Sequence, residues 1–192
     1  MRWDRLFEDL QDQFASEWEA ERAALDTEAE RLRLTRLPLR ARLAALAHPA
    51  GPEIAVEVGE DVVRGRLTAV GEDWAGLAGD AVGILRLDAV RAVTLEHADL
   101  LRSARAEPAR PATLAERMGF GFVLRDLARR RVGVVVHGIG GGALSGTIDR
   151  AAADHLDLAV HDAGSPRRAG EVTGFRVIPF TAVTWVRMDA GP

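Results

Sequence analysis

Guanidinium groups give this sequence its clearest means of binding an anion. Arg129-Arg130-Arg131 stand in succession, Arg167-Arg168 form a second pair, and Arg150 lies between them in the chain. Such groups contact phosphate oxygens, so these six are the candidate contacts to nucleic acid. Other arrangements point to structure rather than chemistry. HGIGGGALSG (137–146) has the glycine content of a phosphate cradle, yet it joins two strand-like runs instead of opening a helix, which makes it a hairpin turn. Asp154-His155-x-Asp157 and His161-Asp162 contain metal-ligating types, with His155 and Asp157 on one face of an alternating run, but no third cluster completes a site. There is no cysteine, and the four serines form no nucleophile elbow. The expectation is a non-enzymatic protein with no metal and no cofactor.

Composition tempers the arginine signal. All 25 basic residues are arginine, while lysine, asparagine and tyrosine are absent. Those three have AT-rich codons, so a GC-rich genome explains the skew without any demand for arginine chemistry. Arginines that close a helix also suit its dipole. Aromatic residues make up only 5% of the chain, which leaves few platforms for stacked bases; Trp74 and Trp185 read as core or interface. Charge is unevenly placed: residues 1–30 hold ten acidic residues and three arginines, a net −7 in a chain of net −4, so the remainder is +3.

Three kinds of element must position these groups. Residues 2 to about 35 repeat apolar side chains at helical spacing, with Trp3, Phe7, Leu10, Phe14 and Trp18 followed by Leu25 and Leu32, and no glycine or proline intervenes before Pro38. This acidic amphipathic helix must bury its stripe against the chain's own barrels, a sister copy or a different protein, and is the candidate partner-helix interface. A second, shorter helix, LPLRARLAALA, follows. From Glu53 the period becomes two, which predicts strands at 54–58, 62–70, 74–77, 84–87 and 91–95. HADLLRSARAEPARPA then forms a connector, part helix and part linker, and Thr113-x-x-Glu116 offers a capping box before a further helical stretch, LAERMGFGFVLRDLARR. Strands return at 132–138, 143–149, 155–160, 177–180 and 183–188.

The strand regions are a repeat. At an offset of 81, Gly65 falls on Gly146, Leu67 on Ile148, Asp73 on Asp154 and Leu77 on Leu158. At an offset of 93, Leu87 falls on Phe180, Val90 on Val183 and Val93 on Val186. The change of offset locates a 12-residue insertion within HDAGSPRRAGEVTG (161–174).

A helix followed by five bent strands, with G-x-L-x-x-V-G-x-D-W-x-x-L at 65–77, resembles the Sm-like superfamily, which includes the bacterial RNA chaperone Hfq and the eukaryotic Sm proteins. The resemblance implies an α+β fold: a long N-terminal helix, then two helix-preceded five-stranded Sm-like (SH3-like) small β-barrels. The corresponding divisions are 1–35 for the acidic helix, 36–95 for the first barrel, 96–112 for a linker and 113–189 for the second barrel. It also implies RNA binding and edge-to-edge joining of barrels. The family's base-reading positions carry Gly76 and Asp157 here, and its second motif is replaced by Leu87-Asp88-Ala89 and Phe180-Thr181-Ala182. The whole chain is similar to an uncharacterised actinobacterial family sometimes labelled Fis-like transcriptional regulators, although no helix-turn-helix is visible.

The functional expectation is an RNA-associated regulator built on duplicated barrels, with a protein–protein assembly scaffold as the alternative. Expected partners are RNA, another protein through the N-terminal helix, or further copies of the chain. No apolar run is long enough to span a bilayer, the acidic helix would be repelled by anionic lipid, and no signal peptide opens the sequence, so a cytoplasmic location is expected.

Overall fold

The structure is a computed structural model and describes residues 2–105, 113–165 and 167–189, with no side-chain detail for residues 2–17 and 20. The chain divides into two compact units, 1–38 and 39–192.

The first unit is built on α1 (Arg2–Thr35). Arg33 bonds Glu30 one turn earlier at 2.7 Å, and the Arg36 and Leu37 amides donate to the Arg33 and Leu34 carbonyls as the helix ends. Trp18, Leu25 and Leu32 are exposed on it. Trp3, Phe7, Leu10 and Phe14 belong to this helix, but their side chains lie outside the described residues.

The second unit starts with α2 (Leu39–Leu46), followed by β1 (Glu53–Val58), β2 (Asp61–Val70), β3 (Trp74–Gly79), β4 (Val82–Arg86) and β5 (Val90–Thr94). Three helices follow, α3 (His97–Ser103), α4 (Leu114–Arg117) and α5 (Phe120–Arg130), and then β6 (Gly133–Gly138), β7 (Ala143–Ala151), β8 (His155–Val160), β9 (Gly174–Pro179) and β10 (Val183–Met188). Single-turn 3-10 segments at Leu87–Ala89 and Phe180–Ala182 precede β5 and β10.

The repeat is drawn in the backbone. The strand–turn pairs obey the offset of 93, and β3 and β8 obey the offset of 81. The bulge in β2 between Leu67 and Ala69 recurs in β7 between Ile148 and Arg150. Such bulges bend a strand and raise its twist. At the same turn of each strand a glycine permits close approach: a Cβ on Gly65 would lie 2.5 Å from the Ala78 carbonyl oxygen, and one on Gly146 only 2.1 Å from that of Ala159.

The expectation of two closed five-stranded Sm-like barrels is overturned. Among the described residues, ten strands form one open antiparallel sheet in the order β5-β1-β2-β3-β4-β10-β6-β7-β8-β9. The physical reason is that β4 spends its free edge on β10, with Leu85 opposite Trp185 and Ile84 opposite Val186, so the ladder runs through both halves. Side chains cross the same seam. Trp74 and Ile84 of the first half sit in a core with Phe120, Leu124, Val134 and Ile148, while Trp185 of the second half sits among Leu43, Val56, Leu67 and Leu77.

Between the halves, the connector is helical at its start and the next helical stretch is interrupted. The connector begins with α3, which is clamped to α2 because Arg42 donates to the Leu100 carbonyl at 3.0 Å and to the Ser103 hydroxyl at 2.9 Å. Residues 106–112 lie outside the described residues. The helical stretch after Thr113 is broken: Thr113 caps α4 by accepting from the Glu116 amide at 3.4 Å, but Met118 is extended and α5 restarts at Phe120. Among the described residues, no helix is long and apolar enough to cross a membrane.

Candidate assembly seam and arginine surface

Carboxylates claim most of the candidate arginines. Arg129 and Arg130 both reach Asp126 one turn back on α5, the latter at 2.8 Å. Arg131, in the left-handed conformation that ends α5, bonds Asp149 at 2.8 Å, and Arg167 approaches the same carboxylate at 2.6 Å. Asp149 therefore unites two arginines that are far apart in sequence. Arg168 lies 3.8 Å from Glu171 within the inserted loop. Arg150 is exposed on β7, opposite Asp157 in the ladder. The side chains of Arg131 and Arg167 are thus brought together, while Arg129 and Arg130 form a separate pair on Asp126. Positive charge here is balanced locally, which weakens the field a nucleic acid would meet.

Asp154 bonds His155 at 2.8 Å, and His161 is buried between the Thr147 hydroxyl at 2.9 Å and the Asp162 carbonyl at 3.0 Å. No group of three or more metal-ligating side chains gathers among the described residues. The glycine-rich segment is a turn between β6 and β7, with positive φ at Gly140 and Gly141.

Sequence reading missed the seam's fastenings. An aspartate beside a turn can fix it through local amides, but the Asp73 carboxylate accepts from the Phe120 amide at 2.6 Å and caps α5 of the other half. Beside it, the Trp74 indole donates to the Met118 carbonyl at 2.8 Å, and the Glu72 amide donates to the same oxygen at 3.1 Å. Arg40 ties the corner by donating to the Gly71 and Glu116 carbonyls at 2.6 and 2.8 Å. The one advance signal was the repeat itself, since Phe120 lies 81 residues after Leu39, as the start of α5 follows the start of α2.

At the other end of the seam, Asp61 accepts from the Trp185 indole at 2.8 Å and meets His137 Nδ1 at 3.0 Å. The imidazole stacks on Trp185 with ring centroids 4.1 Å apart, and its Nε2 is buried without a partner. Burial holds His137 below its ordinary pKa of 6.5; the Asp61 carboxylate opposes this, and Arg187 adds to the lowering. Because the folded value lies below the unfolded one, the neutral ring's contribution to stability is complete above 6.5 and is lost as pH falls. Urea unfolding should therefore show stability declining as pH falls below 6.5, and a His137→Phe variant should have a shallower decline there.

Above the seam lies a cleft of about 460 Å³, lined by Glu60, Arg86, Asp88, Arg91, Thr181 and Thr184 among others. Its arginines are engaged: Arg86 reaches Asp88 and the Phe180 carbonyl, and Arg91 donates to the Gly59 carbonyl at 3.1 Å. The ends of the sheet differ from this closed seam. Among the described residues, β9 pairs only with β8 and β5 only with β1. On β9, Phe175 and Val177 are 64% and 69% exposed.

Comparison of the chain with family models, with curated proteins and with solved structures finds no match. No relative therefore supports the Sm-like resemblance or the Fis-like label.

Proposed function

We propose that the chain is a non-enzymatic assembly module that takes up protein partners on the edge of its sheet. The observation that carries this reading is β9: a terminal strand with a free edge, presenting two large apolar side chains, Phe175 and Val177, to solvent on either side of Arg176. An added strand would satisfy the open backbone groups and cover Phe175 and Val177. The RNA-associated reading has less support, because Arg129, Arg130, Arg131, Arg167 and Arg168 are all held by carboxylates. The α1 stripe offers a second docking surface for a protein, with Trp18, Leu25 and Leu32 exposed.

The experiment is recovery of the tagged protein from its own cells with and without RNase, for the wild type and for Val177→Lys, a charge that guards an edge without entering the core. Protein partners that survive RNase and are lost from the lysine variant are the expected result. RNA enrichment, with all associated proteins lost on RNase treatment, would replace this reading with the nucleic-acid one.

A further inference from the structure

The internal seam is a template for the chain's two open ends. It is made by β4 and β10, and their repeat counterparts at the offset of 93 are β9 and β5, the two terminal strands of the sheet. Each end thus presents one half of an interface that the chain has already made once. Resting on the assembly reading above, we propose that the partner of β9 is β5 of a second copy of this chain, in the register of the internal seam. Ile84 opposite Val186 becomes Val177 opposite Val93, and Gly83 opposite Arg187 becomes Arg176 opposite Thr94.

The side chains around β9 are those of an unmade seam. Ile84 is 4% exposed within the seam, while its counterpart Val177 is 69% exposed. Phe120, which begins α5 and shares a core with Trp74 and Ile84, is 1% exposed; its counterpart Leu39, which begins α2, is 43% exposed. Asp73 caps α5 within the chain, whereas the Asp154 side chain is 87% exposed. A hollow of about 370 Å³ lined by Phe175, Val177, Arg150 and Asp157 lies along β9, and in the transposed seam Leu39 of a neighbouring copy fills it. Asp154 and Asp157 then face the start of α2, where negative charge is favoured.

The transposed seam is the looser of the two. Pro179 stands for Arg86 and Ala92 for Trp185, so the guanidinium link to Phe180 and the indole bond to Asp61 have no equivalents. Association is accordingly concentration-dependent and head-to-tail. It closes into a ring if the rotation per chain allows, and otherwise extends.

The chain has no native cysteine, so a disulfide can report the register. Antiparallel partners lie about 4.5–5.5 Å apart at Cα, within disulfide reach. The purified full chain carrying Val93→Cys with Val177→Cys should give a ladder of two, three and more covalently joined chains on mild oxidation. Thr94→Cys with Arg176→Cys, at exposed positions that do not test core folding, should give the same ladder. Each single-cysteine variant should stay at one chain. Pairs of Val177→Cys alone would mean two-fold pairing of β9 with itself, and would overturn the register. If the double variants fail to link while light scattering shows the wild type associating, copies meet through another face; the inference then fails and the assembly reading stands. A chain that stays at 20.7 kDa at every concentration overturns the inference by itself, and the RNase experiment then decides the reading separately.

Discussion

Trp185→Ala should cost about 3–5 kcal/mol of unfolding free energy, as removal of a buried tryptophan generally does. The indole belongs to the second half by sequence and to the first half by packing, where it lies with Val56, Leu67 and Leu85 at 5% exposure. Its loss leaves a cavity in that core, withdraws a donor from Asp61, and exposes the face of His137 that stacks on it. Trp185→Phe keeps a ring against the imidazole and loses only the indole donor, so it should cost about 1–2 kcal/mol. Urea midpoints for the two variants check the order. Equal losses would mean that the seam depends on the Asp61 bond rather than on the buried ring.

Gly146→Ala should be nearly as damaging, at about 3 kcal/mol, from overpacking alone. The added methyl would sit 2.1 Å from the Ala159 carbonyl oxygen and 3.0 Å from its carbon. Both atoms are backbone in the neighbouring strand, so no side chain can swing away, and β7 and β8 must separate. The comparison is Gly140→Ala in the β6–β7 turn, where nothing lies within 4 Å and only the positive φ of 86° resists the change. That variant should lose about 1 kcal/mol. Thermal unfolding of the pair checks the difference, and a milder effect at Gly146 than at Gly140 would contradict the close approach of the strands.

The repeat was legible because period-two alternation and paired glycines are local signals. Gly65 and Gly146 are needed by contacts between consecutive strands, and such contacts leave their mark at a fixed spacing. What β4 would pair with was not legible. ILRL reads equally well as a strand closing its own barrel or as one edge of a longer ladder, since both demand the same apolar residues. The use of Asp73 was hidden for the same reason. An aspartate after a glycine suits a local turn, and nothing nearby reveals that its acceptor is taken by an amide 47 residues later. The arginine clusters were visible as charge; Asp126 lies one helical turn from Arg129 and Arg130, but Asp149, the partner of Arg131 and Arg167, could be assigned only once α5 and β7 were placed in space. The break at Met118 likewise depends on the Trp74 indole and the Glu72 amide, both of which come from the other half.

The free edge of β9 is taken up by β5 of a second copy, in the register of the internal seam. Amide hydrogen exchange over residues 174–178, followed as the protein is concentrated, is the decisive measurement. Protection of these amides should rise with concentration in the wild type and stay low in Val177→Lys, while β7 remains protected in both. Fast exchange of β9 at every concentration, with unchanged molar mass, would contradict it.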